Sequence, residues 1–172
     1  MKTSRLSARV LLMTGLLLAI GVVSAFGQST PEKGTIGLSA MVQSNQMDIL
    51  LPVFVTPSVV LVPSIGYQNV SDSFSKIAVG IGVRGYLNAS QARPYLAARA
   101  GLLSTGVDGS DRQNDYLVGG AFGAEYFFNA QFSVGAEGQL TVIKSDKGSY
   151  AFGYPDRTIV QTGTAAMVSV YF

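Results

Sequence analysis

Four long charged side chains stand out from a background of aliphatic and small residues: Arg84, Arg99, Glu125 and Glu137. Two kinds of chemistry are open to them. A pair of carboxylates can divide the roles of general acid and base. Alternatively, two guanidinium groups and two carboxylates can neutralise one another, because buried charge is tolerated only when paired and hydrogen-bonded. The forked guanidinium suits carboxylates geometrically. The sequence favours pairing. It contains no His and no Cys, so it lacks the side chain that titrates near neutrality and the thiol nucleophile. Asp108, Asp111 and Asp115, in D-G-S-D-R-Q-N-D, lack the alternating acids and terminal Glu of a calcium loop. The glycines of G-I-G-V-R-G (80–85) fall inside a strand-like segment and do not lead from strand to helix, so they form no phosphate cradle. No catalytic, cofactor-binding or metal-binding residue is expected.

The elements that position the four charges follow from the alternation of residue types. Period-2 patterning recurs at even spacing from Gly34 onward, which predicts an all-β chain. Eight strands are expected, at 34–43, 48–55, 59–67, 76–87, 94–105, 115–128, 132–144 and 158–172. Short connections are expected at 56–58, 88–93 and 129–131, and longer polar loops at 68–75, 106–114 and 145–157. Alternate connections of an antiparallel meander lie at one end, so short turns share one rim and long loops the other. Along 76–87, Ile77, Val79, Ile81 and Val83 alternate with Ala78, Gly80, Gly82 and Arg84. The same parity sets Arg99, Glu125 and Glu137 among glycines and alanines. Arg84 and Glu125 precede their short turns by four residues, and Arg99 and Glu137 follow theirs by six. All four are therefore expected at similar depth, as one neutralising layer inside a closed barrel.

The N-terminus carries Lys2, Arg5 and Arg9, then a 14-residue apolar run from Val10 to Val23, then small residues at Ser24, Ala25 and Gly27. This is the pattern of a secretory signal peptide. As a helix the run would reach only about 21 Å across a ~30 Å hydrocarbon core. Cleavage is expected after Ala25 or Gly27, giving a signal peptide at 1–27, a polar leader at 28–33 and a barrel domain at 34–172. The chain holds 12 Lys and Arg against 10 Asp and Glu, and residues 1–27 hold three of the positives and no acid. Nine basic residues then face ten acidic ones, so the basic balance belongs to the export segment and no basic surface for nucleic acid is expected.

Parity has no sign, and the sidedness of the barrel needs further observations. The chain is 48% hydrophobic and only 13% charged, high for a secreted domain bathed in water. The aliphatic face of the later strands is nearly free of charge. Aromatic residues gather at strand ends: Tyr126, Phe127, Phe128, Phe132, Tyr171 and Phe172 near the short turns, and Tyr67, Phe74, Tyr116, Tyr150, Phe152 and Tyr154 toward the loops. Two such belts suit the two interfaces of a bilayer. The expected fold is an eight-stranded antiparallel up-and-down transmembrane β-barrel, apolar outside and polar within. The soluble alternative is a lipocalin-like barrel with the charges outside and a greasy interior for apolar ligands.

The segments VVLVPSIGYQNVSDSFSKIAVGIGVRGYL (59–87), RPYLAARAGL (93–102) and GGAFGAEYFFNAQFSVGAEGQL (119–140), with the closing T-A-A-M-V-S-V-Y-F (164–172), resemble the small eight-stranded outer-membrane barrels, the OmpA/OmpX-like β-barrel domain family. The resemblance implies residence in the bacterial outer membrane, in contact with lipid and lipopolysaccharide, after passage by periplasmic chaperones and the barrel-assembly machinery. It implies that Ala166, Val168, Val170 and Phe172 form the C-terminal signal read by that machinery. The peptidoglycan-binding domain that follows the barrel in OmpA is not expected after Phe172. Enzymatic barrels similar to these use a catalytic His, which is missing here. The expected role is structural or surface-interacting, with a lumen occluded by charge. Tyr150, Phe152 and Tyr154 are candidate loop contacts for an extracellular partner, and a small pore for ions or solutes is the alternative.

Overall fold

The computed structural model describes residues 30–43, 46–71, 74–107, 112–149 and 155–172. The nine ladder segments are β1 (Gly37–Val42), β2 (Met47–Leu50), β3 (Val53–Thr56), β4 (Val59–Ser71), β5 (Phe74–Tyr86), β6 (Ala92–Val107), β7 (Gln113–Asn129), β8 (Phe132–Lys144) and β9 (Thr158–Tyr171). All pairings are antiparallel between sequence neighbours, except where the sheet closes. There β1 pairs with β9, from Gly37 opposite Tyr171 to Val42 opposite Ala166. On its other side β1 pairs with β2, which pairs with β4. Because β2 and β3 succeed one another along the same partner β4, they form one broken stave, and the barrel has eight.

The break falls at Leu51 and Pro52, across from Pro63 of β4. Proline brings no N–H to a ladder, so regular pairing lapses where Pro63 stands across from Leu51 and Pro52 follows on the other strand. Carbonyls are still used: Leu51 N donates to Pro63 O (2.9 Å) and Gly37 N to Pro52 O (2.8 Å). The expected single strand at 48–55 is therefore two segments. Its faces, unreadable from a continuous β-branched run, resolve into Asp48, Leu50 and Phe54 inside and Met47, Ile49 and Val55 outside.

Each short turn is held by a side-chain oxygen that accepts from the backbone, as Asn and Thr do in tight turns. Thr56 accepts from Ser58 N and Val59 N (3.2 and 3.0 Å), Asn88 from Ser90 N (3.2 Å), and Asn129 from Gln131 N (2.8 Å). At the other end the strands run further than expected. Gln68 pairs with Lys76 and Ser71 with Phe74; Thr105 pairs with Gln113. Most of the loop expected at 68–75 is thus ladder, as are both ends of the loop expected at 106–114. Polarity marked these segments as loop, but the backbone pairing of an antiparallel hairpin does not depend on apolar side chains. The first strand starts at Gly37 instead of Gly34, which sits in a turn with φ of 91°.

The sidedness is clear. Ile81 and Phe122 are 56% and 70% exposed, as are their aliphatic neighbours along every stave, whereas Arg84 and Glu125 are 3% and 0% exposed. Tyr67 and Tyr116 stand outward toward the loop end, and Tyr126, Phe128 and Phe172 outward at the short-turn end. Phe127 and Tyr171, expected in that outer belt, point inward and are buried; their odd parity relative to Tyr126, Phe128 and Phe172 places them on the lumen side. A lipocalin-like greasy interior is not what these strands enclose. No helix among the described residues is long and apolar enough to cross a membrane.

Candidate functional site

The interior begins, at the short-turn end, with Arg93. Its side chain is buried although it stands at the start of β6, where a turn was expected. It donates to Ser90 O and Pro57 O (both 3.1 Å) and so ties two short turns together. Its guanidinium lies 4.9 Å from the Phe127 ring centre and 5.7 Å from that of Tyr86. Above it, Phe54, Tyr86, Phe127, Tyr171 and Tyr95 form a linked aromatic cluster with centroid separations of 5.6–6.0 Å, within the range of favourable ring pairs.

Glu125 is sealed inside this cluster. Arg84 donates to its Oε2 at 2.7 Å, and the Tyr86 hydroxyl donates to the same oxygen. Tyr171 donates to Oε1 at 2.6 Å, together with Ser133. Four donors on two oxygens fill the carboxylate's acceptor capacity. Such saturation is what makes a buried ionised acid tolerable. Arg84 is itself placed by more than its acid. Its guanidinium lies 4.4 Å from the centre of the Tyr95 ring and donates to Met167 Sδ at 3.3 Å.

The second pair sits deeper toward the loops. Arg99 donates to Glu137 Oε1 at 2.6 Å, Gln139 donates to the same oxygen at 2.7 Å, and the Tyr95 hydroxyl donates to Oε2 at 2.8 Å. Tyr95 therefore links the two ion pairs, its face against Arg84 and its hydroxyl on Glu137. The barrel brings the four charged residues together as two stacked pairs, where one layer was expected. The ladder explains this: Arg99 lies across from Gly82, and Arg84 from Ala97; Glu137 lies across from Gly123, and Glu125 from Gly135. Arg84 and Glu125 are thus each two residues nearer the short turns than their counterparts on the next strand. Room comes from glycine. A Cβ on Gly123 would lie 2.5 Å from Ala136 O and 2.7 Å from the Tyr95 ring.

The chemistry available to this arrangement is charge neutralisation. Glu125 and Glu137 are both engaged with arginine. Asp115, the only described acid of the 108–115 segment, is buried and accepts from Asp146 N (2.9 Å) and the Ser149 hydroxyl (2.8 Å), which fastens the start of the β8–β9 loop to the barrel wall. Among the described residues, no group of three or more His, Cys, Asp or Glu is placed to hold a metal. Tyr150, Phe152 and Tyr154 lie outside the described residues, as do Asp108 and Asp111. Ala166, Val168, Val170 and Phe172 share the outer face of β9, opposite Ala165, Met167, Ser169 and Tyr171.

Sequence reasoning missed Arg93, Phe54 and the role of the tyrosines. Parity did place Tyr86 with Arg84 and Tyr95 with Arg99, and that shared face was the available signal. Nothing local marked Arg93 as buried, because its partners come from two different turns.

No protein-family model matches the chain, and no curated protein sequence matches it. Solved structures do. The N-terminal β-barrel domain of Pseudomonas aeruginosa OprF matches with a TM-score of 0.60 at 15% identity, over 81% of this chain and 98% of that one. Neisserial surface protein A matches with a TM-score of 0.56 at 17% identity, over 80% of this chain and 94% of that one. Closed, antiparallel and eight-staved, with its polar groups inside, the chain has the fold of the small outer-membrane β-barrels.

Proposed function

We propose that the chain is an integral outer-membrane β-barrel protein, exported on a cleaved signal peptide at 1–27, with a structural or surface-interaction role, an occluded lumen and no enzymatic chemistry. One observation carries this reading: the aliphatic side chains ring the outside while the ion pairs are sealed within. In water such a surface would be one large apolar patch prone to association; in lipid it is the solvated face. The fold shared with OprF and with a neisserial protein named for the surface agrees with it.

The reading of occlusion rests on the short-turn half of the lumen, where Arg93, the ring cluster and the Arg84–Glu125 pair fill the space that eight staves leave. A small pore is the second reading, and the cavity above the plug is the observation in its favour. For the outward residues Ala166, Val168, Val170 and Phe172 we assign recognition by the barrel-assembly machinery. Lipid and lipopolysaccharide are the partners of the outer wall, periplasmic chaperones those of the unfolded chain, and Tyr150, Phe152 and Tyr154 candidate contacts for a surface partner.

Fractionation tests the location. Retention in the outer-membrane pellet after a carbonate wash, with heat-modifiable gel mobility, is expected; release into the wash overturns it. Planar-bilayer recording tests the lumen. No discrete conductance is expected, and steps that change on Arg84→Met or Arg99→Met would establish the pore instead.

A further inference from the structure

The ion pairs and rings fill only the half of the lumen nearest the short turns. Beyond them lies a cavity of about 630 Å³, inside the range of roughly 300–1,000 Å³ typical of small-molecule sites. It reaches from Arg84 and Leu50 up to Gln46 and Lys76, toward the loop end, and no aromatic ring among the described residues lines it.

Two observations limit what it accepts. The first is charge. Among the described residues the interior acids Asp48, Asp115, Glu125 and Glu137 are matched in number by Lys76, Arg84, Arg93 and Arg99. An ion entering would lose hydration without meeting a net countercharge, whereas a neutral solute has no such cost. The second is the pattern of hydrogen-bonding groups left over. Gln43 and Gln46 each donate an amide N–H to Asp48 (2.9 and 2.6 Å), and Gln139 donates to Glu137 (2.7 Å). Their carbonyl oxygens remain as acceptors on the cavity wall. Arg99 engages Glu137 through one nitrogen and keeps a fifth of its side chain exposed to the cavity. Gln161 and the Ser64 hydroxyl add groups that both donate and accept. Donors and acceptors are thus both present on a wall whose described charges balance. Hydroxyl groups, each donating and accepting, are the ligand chemistry that matches.

We propose that this cavity is a binding site for a small neutral polyhydroxylated solute, of one or two sugar rings, admitted from the loop end. The proposal rests on the occluded-lumen reading, which makes the cavity a cup with a floor. Affinity is expected in the millimolar range, because the described wall offers hydrogen-bonding groups and no ring to stack on the solute.

The test uses the refolded full chain in lipid nanodiscs, titrated with maltose and, separately, with sodium phosphate at matched ionic strength. Side-chain amide resonances are followed by NMR. Saturable shifts of Gln139 and Gln161 with maltose, absent with phosphate, are expected. Gln161→Ala and Ser64→Ala should each weaken the response severalfold while heat-modifiable mobility is kept; two variants guard against one failing to fold. Shifts that never saturate, equal shifts with phosphate, or shifts confined to the outer loops overturn the proposal. Carbonate retention and bilayer recording on the same preparation separate the two claims. A barrel that stays in the membrane and does not conduct, yet ignores maltose, refutes the cavity site alone. Conductance refutes the floor on which it stands.

Discussion

Replacing Glu125 by Gln, Arg84 by Met, and both together probes the most deeply sealed charges in the barrel. Glu125 has no exposed surface and Arg84 almost none, so neither charge is relieved by water when its partner is removed. Breaking a buried pair from one side costs about 3–5 kcal/mol, two to nearly four decades in the folding equilibrium. Glu125→Gln adds a second penalty. The four donors now meet one carbonyl and one NH₂ group, so some hydroxyls lose their acceptor, at about 1–3 kcal/mol for each left unsatisfied. The double variant removes both charges, and its loss should fall short of the sum of the single losses by about 2 kcal/mol. Arg99→Met is the internal comparison. The Arg99 side chain is 21% exposed, and Glu137 keeps Tyr95 and Gln139, so about 1–2 kcal/mol is expected. Urea titration of the barrel refolded into vesicles, scored by the fraction migrating in the folded gel band, reads all four. The reasoning fails if Glu125→Gln loses no more than Arg99→Met, or if the double variant is additive.

Other consequences can be measured on the same system. Ile81→Lys, on the outer wall, should cost about 2–4 kcal/mol in a bilayer; a loss within about 0.5 kcal/mol, as for a water-facing site, contradicts the sidedness. Gly123→Val drives a side chain into Ala136 O and the Tyr95 ring and should destabilise by about 1–3 kcal/mol, with the neighbouring Gly120→Val, whose Cβ has looser surroundings, as the milder control in the same urea series. Lys144 donates to Asp156 (2.9 Å) and holds that carboxyl below its ordinary range. A depressed folded-state pKa means the contact is intact above the unfolded value and is lost as pH falls through the folded one, so NMR should show the β8–β9 loop releasing below about pH 4, with no such transition in Asp156→Asn. Phe172→Ala should lower the yield of assembled barrel in cells while leaving the urea midpoint of the refolded protein nearly unchanged; equal losses in both would assign Phe172 to stability alone.

What was legible in the sequence was the alternation. Glycine and alanine opposite aliphatics, repeated between Asn-, Pro- and Gly-bearing turns, yields eight staves, because a strand's side chains have a period of two whatever surrounds them. The same parity set Arg84, Arg99, Glu125 and Glu137 on one side of the wall. Three matters were decided only by the closed barrel. Which arginine meets which acid depends on the register between neighbouring strands, and a two-residue offset turned one expected layer into two pairs joined through Tyr95. Where a strand ends depends on its partner: the polar hairpin at 68–76 stays paired because its backbone has a neighbour, and the stave at 47–56 breaks because Pro52 and, on the facing strand, Pro63 each withhold an N–H from the ladder. Whether Phe127, Tyr171 and Arg93 belong to an outer belt, a turn or the plug depends on which side of the wall they face and on contacts from Phe54, Tyr86 and two distant turns. Local spacing carries the period of the strand, but register, closure and the filling of the lumen are relations between segments far apart in the chain, and they exist only once it has folded.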